Sequence, residues 1–233
     1  MKVKSTLTAS AAFLATAFAV GLLAAVPTQA QTFSVVHNFT GGSDGGVPTS
    51  GFTANGKVFY GTASVGGTSN LGVAFRINEA GVETVLHNFA GGSDGANPQD
   101  ALLRTKGGIL YGTTNAGGTA GVGTVFELSG KNETVLYSFA GGSDGAHPIA
   151  GLAEDTAGNL YGTQFSGGAY EYGAVFRLTH GSGGWTYTSL HDFTGGTDGG
   201  YPLSNVTFDA DGDLYGTAEA GGSNDGVVWE ITP

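Results

Sequence analysis

The chain contains no cysteine. Disulfides and thiolate metal sites are thereby excluded, so stability must come from packing and hydrogen bonding. Basic residues are scarce, with eight Lys and Arg against nineteen Asp and Glu. A surface of that sign repels phosphate backbones, and nucleic acid is not an expected partner. Long helical periodicity is missing beyond residue 30, and no membrane span is expected there. The local signatures of catalysis are missing as well. There is no G-x-S-x-G elbow, no H-E-x-x-H and no phosphate loop leading into a helix. The Gly-rich loops lead into strands instead, so they offer an anion no helix N-terminus. The acidic residues are numerous enough to contain a glycosidase-type pair, but nothing marks one.

What is present falls into two parts. Lys2 and Lys4 precede an apolar, uncharged run from Ala11 to Val26, then Pro27 and the small residues up to Ala30. This has the form of a secretory signal peptide cut after Ala30, and the apolar run is shorter than the ~20 residues of a spanning helix. The expected localisation is secreted or periplasmic. Residues 31–233 are expected to form a single domain.

That domain is repetitive. Tyr-Gly-Thr recurs at Tyr60, Tyr111, Tyr161 and Tyr215, and Gly-Gly-Ser/Thr-Asp-Gly begins at Gly41, Gly91, Gly141 and Gly195. A period near 50 residues with several short apolar runs indicates a propeller or solenoid. The second unit contains four such runs, around Leu102, Ile109–Thr113, Val122–Leu128 and Thr134–Phe139, separated by Gly- and Asn-containing turns. They predict four antiparallel strands, a to d, which is one propeller blade. The units cover about 48–89, 98–139, 148–193 and 202–231. An extra d-like segment, 33–39, precedes them, and the last unit stops at its c strand.

The expected fold is therefore all-β. It is a β-propeller of four four-stranded blades, closed by pairing 33–39 with Gly226–Ile231, which would leave no open edge. A monomer is favoured. The alternatives are a dimeric eight-bladed ring, formed by exchanging these strands, and an open β repeat array. Gly61, Gly112, Gly162 and Gly216 are expected to let adjacent sheets approach.

The unit LYGTT…GG…GTVFEL…TVLYSFAGGSDG…P resembles the GloVer tandem repeat of choice-of-anchor secreted bacterial proteins. The resemblance runs through about four copies. It implies an exported, propeller-like repeat protein and supplies no catalytic residues.

Several side-chain sets invite a functional reading. Asp44, Asp94, Asp144 and Asp198 give one carboxylate per repeat loop. Ca²⁺ takes six to eight oxygens, whereas Asp-Gly shapes a turn by accepting nearby N–H groups. The turn role is expected, with Ca²⁺ as the alternative, and no cofactor is otherwise implied. Asp209, Asp211 and Asp213 form a D-x-D-G-D turn that lacks EF-hand spacing and reads the same way. His37, His87 and His191 share one strand-d position with Tyr137, which favours packing over metal ligation. The third unit differs from the others at Tyr170-Glu171-Tyr172, and the loops before strand a carry Val47, Asn97, His147 and Tyr201. Tyrosines beside carboxylates suit a flat amphipathic ligand, a glycan or a protein segment. The candidate ligand-binding set is Tyr170, Glu171, Tyr172, Tyr201 and His147. The expected function is a non-catalytic binding or surface-interaction module. An extracellular carbohydrate-active enzyme and a purely structural surface protein are the alternatives.

Overall fold

The computed structural model describes residues 31–223 and 225–232. The expected signal peptide lies outside the described residues. The chain from Val35 onward forms one compact unit.

In the described residues sixteen strands build four antiparallel sheets. Sheet 1 holds β1 (Thr53–Asn55), β2 (Val58–Ala63), β3 (Val73–Asn78) and β4 (Glu83–Asn88). Sheet 2 holds β5 (Leu103–Arg104), β6 (Leu110–Thr114), β7 (Thr124–Ser129) and β8 (Asn132–Ser138). Sheet 3 holds β9 (Ala153–Glu154), β10 (Leu160–Gln164), β11 (Ala174–Gly181) and β12 (Gly184–Asp192). Sheet 4 holds β13 (Gly200–Pro202), β14 (Thr207–Phe208), β15 (Leu214–Ala220) and β16 (Val227–Ile231). Among the described residues, helix is confined to two single 3-10 turns, Gly92–Asp94 and Gly142–Asp144. The all-β, propeller-like arrangement of four repeated sheets is thus present.

Each sheet covers the next with the same residues. The strand-d Phe meets the strand-c aromatic of the following sheet edge-on. Phe89 lies 5.1 Å from Phe126, Phe139 5.4 Å from Phe176 and Phe193 6.2 Å from Trp229. All three Phe are fully buried, and each such ring stabilises by about 2–3 kcal/mol. The Thr of Tyr-Gly-Thr ties the same sheets together. Thr62 Oγ1 donates to Asp100 O at 2.8 Å, Thr113 to Ala150 O at 3.0 Å and Thr163 to Ser204 O at 3.2 Å.

The glycine after each Tyr serves its own sheet, not the gap between sheets. A Cβ on Gly112 would stand 2.5 Å from Phe126 Cζ and 2.8 Å from Leu102 Cδ2. Gly112 is the cross-strand neighbour of Phe126, so the empty position is the seat of that ring.

The pairing expected to seal a ring is not among the strand pairs. Residues 31–40 carry no strand, and among the described residues β16 pairs with β15 alone. β16 takes one side of β15 along Leu214–Ala218, so β13 and β14 both lie on its other side. Sheet 4 therefore has no counterpart of β4, β8 or β12 among the described residues. The physical reason lies in the first unit, which already holds Val35–Phe39. Phe39 packs 5.0 Å from Phe75, and the Val36 carbonyl lies where a Gly81 side chain would be. The segment has the packing of a d strand without its sheet.

Candidate functional site

The Asp of each repeat loop folds back on its own turn. Its carboxylate accepts the backbone N–H four residues earlier, from Thr40 at 2.8 Å, Ala90 at 2.5 Å, Ala140 at 2.6 Å and Thr194 at 3.0 Å. The same carboxylates meet the strand-d ring seven residues earlier. His87 Nε2 lies 2.8 Å from Asp94, Tyr137 donates to Asp144 at 2.5 Å, His191 Nε2 lies 3.1 Å from Asp198 and His37 Nε2 lies 3.7 Å from Asp44. The shared His/Tyr position is thereby explained as the partner of the loop Asp. The Thr40 hydroxyl holds the Asp44 carboxyl below its ordinary range against the opposing effect of burial.

Sequence reasoning missed the third member of this junction. Glu133, at the start of β8, approaches the Asp94 loop of the preceding repeat. His87, Asp94 and Glu133 offer ligand atoms within 4.8 Å of one another. One imidazole and two carboxylates form a donor set that suits a divalent transition metal. Burial, and then the Asp94 charge, push Glu133 up to about 7. Glu83 occupies the equivalent place beside His37 and Asp44 and is raised by burial as well. At the next junction Tyr187 stands there instead, stacked 5.3 Å from Tyr137. The alternating apolar and polar pattern of β8 gives no sign that its first Glu faces another repeat.

The Asp209 turn also closes on its own carboxylate, but from the opposite direction, with donors that follow the Asp. Asp209 Oδ1 accepts N–H groups of Asp211, Gly212 and Asp213 at 2.9, 3.0 and 3.0 Å. The Asp213 N–H, the largest of several influences, helps hold its carboxyl below the ordinary range. Asp211 is exposed, and Asp213 is raised by burial and by its acidic neighbours.

The residues proposed for ligand binding are brought largely together. Tyr172, from the loop between β10 and β11, has its ring 5.4 Å from that of Tyr201, which lies in β13, ahead of strand a of the next unit. The Tyr201 N–H donates to Tyr172 O at 2.7 Å. The Tyr201 ring also lies 5.2 Å from the Phe165 ring. Phe165 in turn donates its N–H to His147 O at 3.1 Å. Phe165 is the member that sequence reasoning passed over. Its signal is a departure from the repeat, because Ser64, Asn115 and Glu219 hold that position elsewhere. Tyr170 stands at the edge of the group, exposed, with Glu171 between the two loop tyrosines.

The positions before strand a adopt an unusual backbone. Val47, Asn97, His147 and Tyr201 all have φ of 54–56°, a region costly for residues with a Cβ. Three of the side chains reach across to the preceding unit. Asn97 Nδ2 donates to Ser64 O at 2.9 Å, His147 Nδ1 lies 2.8 Å from Asn115 O, and the Tyr201 ring packs at a tilt against Phe165. His147 is thus a staple between sheets as well as a neighbour of the aromatic group.

Four repeated sheets covering one another in this way define an all-β repeat protein of propeller-like build. The chain belongs to the Gloeobacter/Verrucomicrobia repeat family, whose model matches residues 16–229. No curated protein matches it. Among solved structures it is similar to a candidate 6-phosphogluconolactonase from Bacteroides uniformis, at 18% identity and a TM-score of 0.48. That alignment covers 79% of this chain and 56% of the other, so this chain spans little more than half of that protein's length.

Proposed function

We propose that the chain is an exported, non-catalytic binding module that takes a glycan on the aromatic group of the third unit. The observation that carries this reading is Glu171. It has a φ of 69° at a position where the first two units use Asn70 and Gly121, with φ of 56° and 81°. Asn and Gly enter this region readily, whereas Glu pays roughly 1 kcal/mol or more. The third unit accepts that strain while displaying Tyr170 and Tyr172 on either side of Glu171, 56% and 37% exposed. Strain of this kind clusters where a ligand is held. A sugar ring can stack on the tyrosines, and its hydroxyls can donate to the carboxylate. The signal-peptide pattern of residues 1–30 would bring the domain to where polysaccharides are met.

A glycan array followed by calorimetry tests this reading. A ligand bound by the parent should lose at least tenfold in affinity with Tyr170→Ala and Tyr172→Ala together, while the protein still melts cooperatively. Glu171→Gly should raise stability by up to about 1 kcal/mol and weaken the same ligand. Retained binding in the double variant would overturn the proposal. Release of sugar from the ligand would assign the chain to carbohydrate-active enzymes instead, and binding of protein partners alone would redirect it to a protein ligand.

A further inference from the structure

The sheet-to-sheet junction made three times inside the chain leaves one donor face and one acceptor face without a partner among the described residues. On the donor side, Ala74, Val125 and Val175 are fully buried under neighbouring sheets, whereas their counterpart in sheet 4, Val228, is 78% exposed. Thr62, Thr113 and Thr163 are buried, and each donates to the next unit. Their counterpart Thr217 is exposed. On the acceptor side, Leu102, Leu152 and Val206 are 1%, 7% and 4% exposed, while Phe52 at the same place in sheet 1 is 55% exposed. Phe52, Phe59, Phe75 and Ile77, with Val36 and Phe39, give a cavity of about 490 Å³ a mostly apolar lining, to which His37 and Glu79 add the polar part. Val47 holds the strained staple position with its side chain 57% exposed.

The two faces match residue for residue. At an internal junction the covering sheet brings the Tyr of Tyr-Gly-Thr, the valine or alanine before the strand-c aromatic, and the strand-d Phe. Sheet 4 has the first two as Tyr215 and Val228. The third, Phe39, already lies on the acceptor face. The exposure of Val228 and Phe52 means that the chain's own sheets do not close on each other. We propose that sheet 4 of one copy seats on sheet 1 of a second copy, and reciprocally, so that two chains complete a ring of eight sheets. The contact is continuous with the junctions already made and closes by two-fold symmetry. The partner's β16 then gains a strand from Val35–Phe39, which ends its open edge.

Light scattering of the purified protein reads the mass directly, and twice the single-chain mass is expected. Val228→Glu changes a side chain that is exposed in the single chain. It should leave a cooperatively melting protein at the single-chain mass. The absence of native cysteine allows a positional test. The internal registers Ala74↔His87, Val125↔Tyr137 and Val175↔His191 place Val228 of one copy opposite His37 of the other. A mixture of Val228→Cys and His37→Cys proteins should oxidise to a disulfide-linked pair containing one chain of each. Three results would overturn the proposal: a single-chain mass for the parent at every concentration, a two-chain mass unaffected by Val228→Glu, or, in a variant carrying both Val228→Cys and His37→Cys, a disulfide formed within one chain.

Discussion

Glu133 is the residue at which the repeat carries an electrostatic cost. Its folded value, about 7, lies above the ordinary 4.5, so the folded protein holds this proton more tightly than the unfolded chain. The stability it contributes is therefore full below about pH 4.5 and is lost as pH rises through about 7. Glu133→Gln keeps the shape without the charge. It should gain about 1 kcal/mol at pH 8, after discounting for partial exposure, and nothing at pH 4, in urea melts at the two values. Gly112→Ala should act oppositely. Its new methyl enters the space of the Phe126 ring, and a loss of about 1–3 kcal/mol is expected in the same assay. The four loop Asp already accept backbone N–H groups, so melting in EDTA and in Ca²⁺ should coincide. A rise in melting temperature with Ca²⁺ would restore the calcium reading for Asp44, Asp94, Asp144 and Asp198. The turn role of these Asp was legible because Asp-Gly carries its own local chemistry. Their ring partners were legible only as a shared column of His and Tyr, since the contact closes across a loop. Glu133 was not legible, because its neighbour belongs to another repeat.

At the scale of elements, the strands followed from alternation and turn residues, and β7 with Phe126 and Leu128 facing one neighbour and Val125 the other is the clearest case. Strand a, expected around Leu102, begins one residue later at Leu103 and is only two or three residues long in every unit. Its start is held by side-chain bonds from the previous unit, which no local pattern reports. The segment 33–39 has the sequence of a strand, Phe-Ser-Val-Val-His-Asn-Phe, and forms none. Composition fixes which face of such a segment is apolar, but pairing needs an edge within reach. What the segment does supply is Phe39, half-buried against Phe75. Phe39→Ala should cost about 2 kcal/mol, below the range for a fully buried ring, as read by thermal melting with far-UV circular dichroism. No loss would mean that Val35–Phe39 is not held on sheet 1.

The whole molecule is one junction repeated. Phe on aromatic, Thr on carbonyl and a stapling side chain before strand a recur between sheets 1 and 2, 2 and 3, and 3 and 4. Repeat proteins of this kind gain their stability from nearest-neighbour contacts, so an uncovered end unit is the weakest. The period and the motif made the number of units readable. What covers the two end faces was not readable, because it depends on the rotation from sheet to sheet, which accumulates from side-chain packing. Hydrogen exchange of β16 measures this most directly, compared with its counterparts β7 and β11 in the same sample. The account predicts that the amides of Val227–Ile231 are protected like those of the internal strands at concentrations where two chains associate, and that Val228→Glu abolishes that protection. Fast exchange of β16 at every concentration, beside protected β7 and β11, would contradict it.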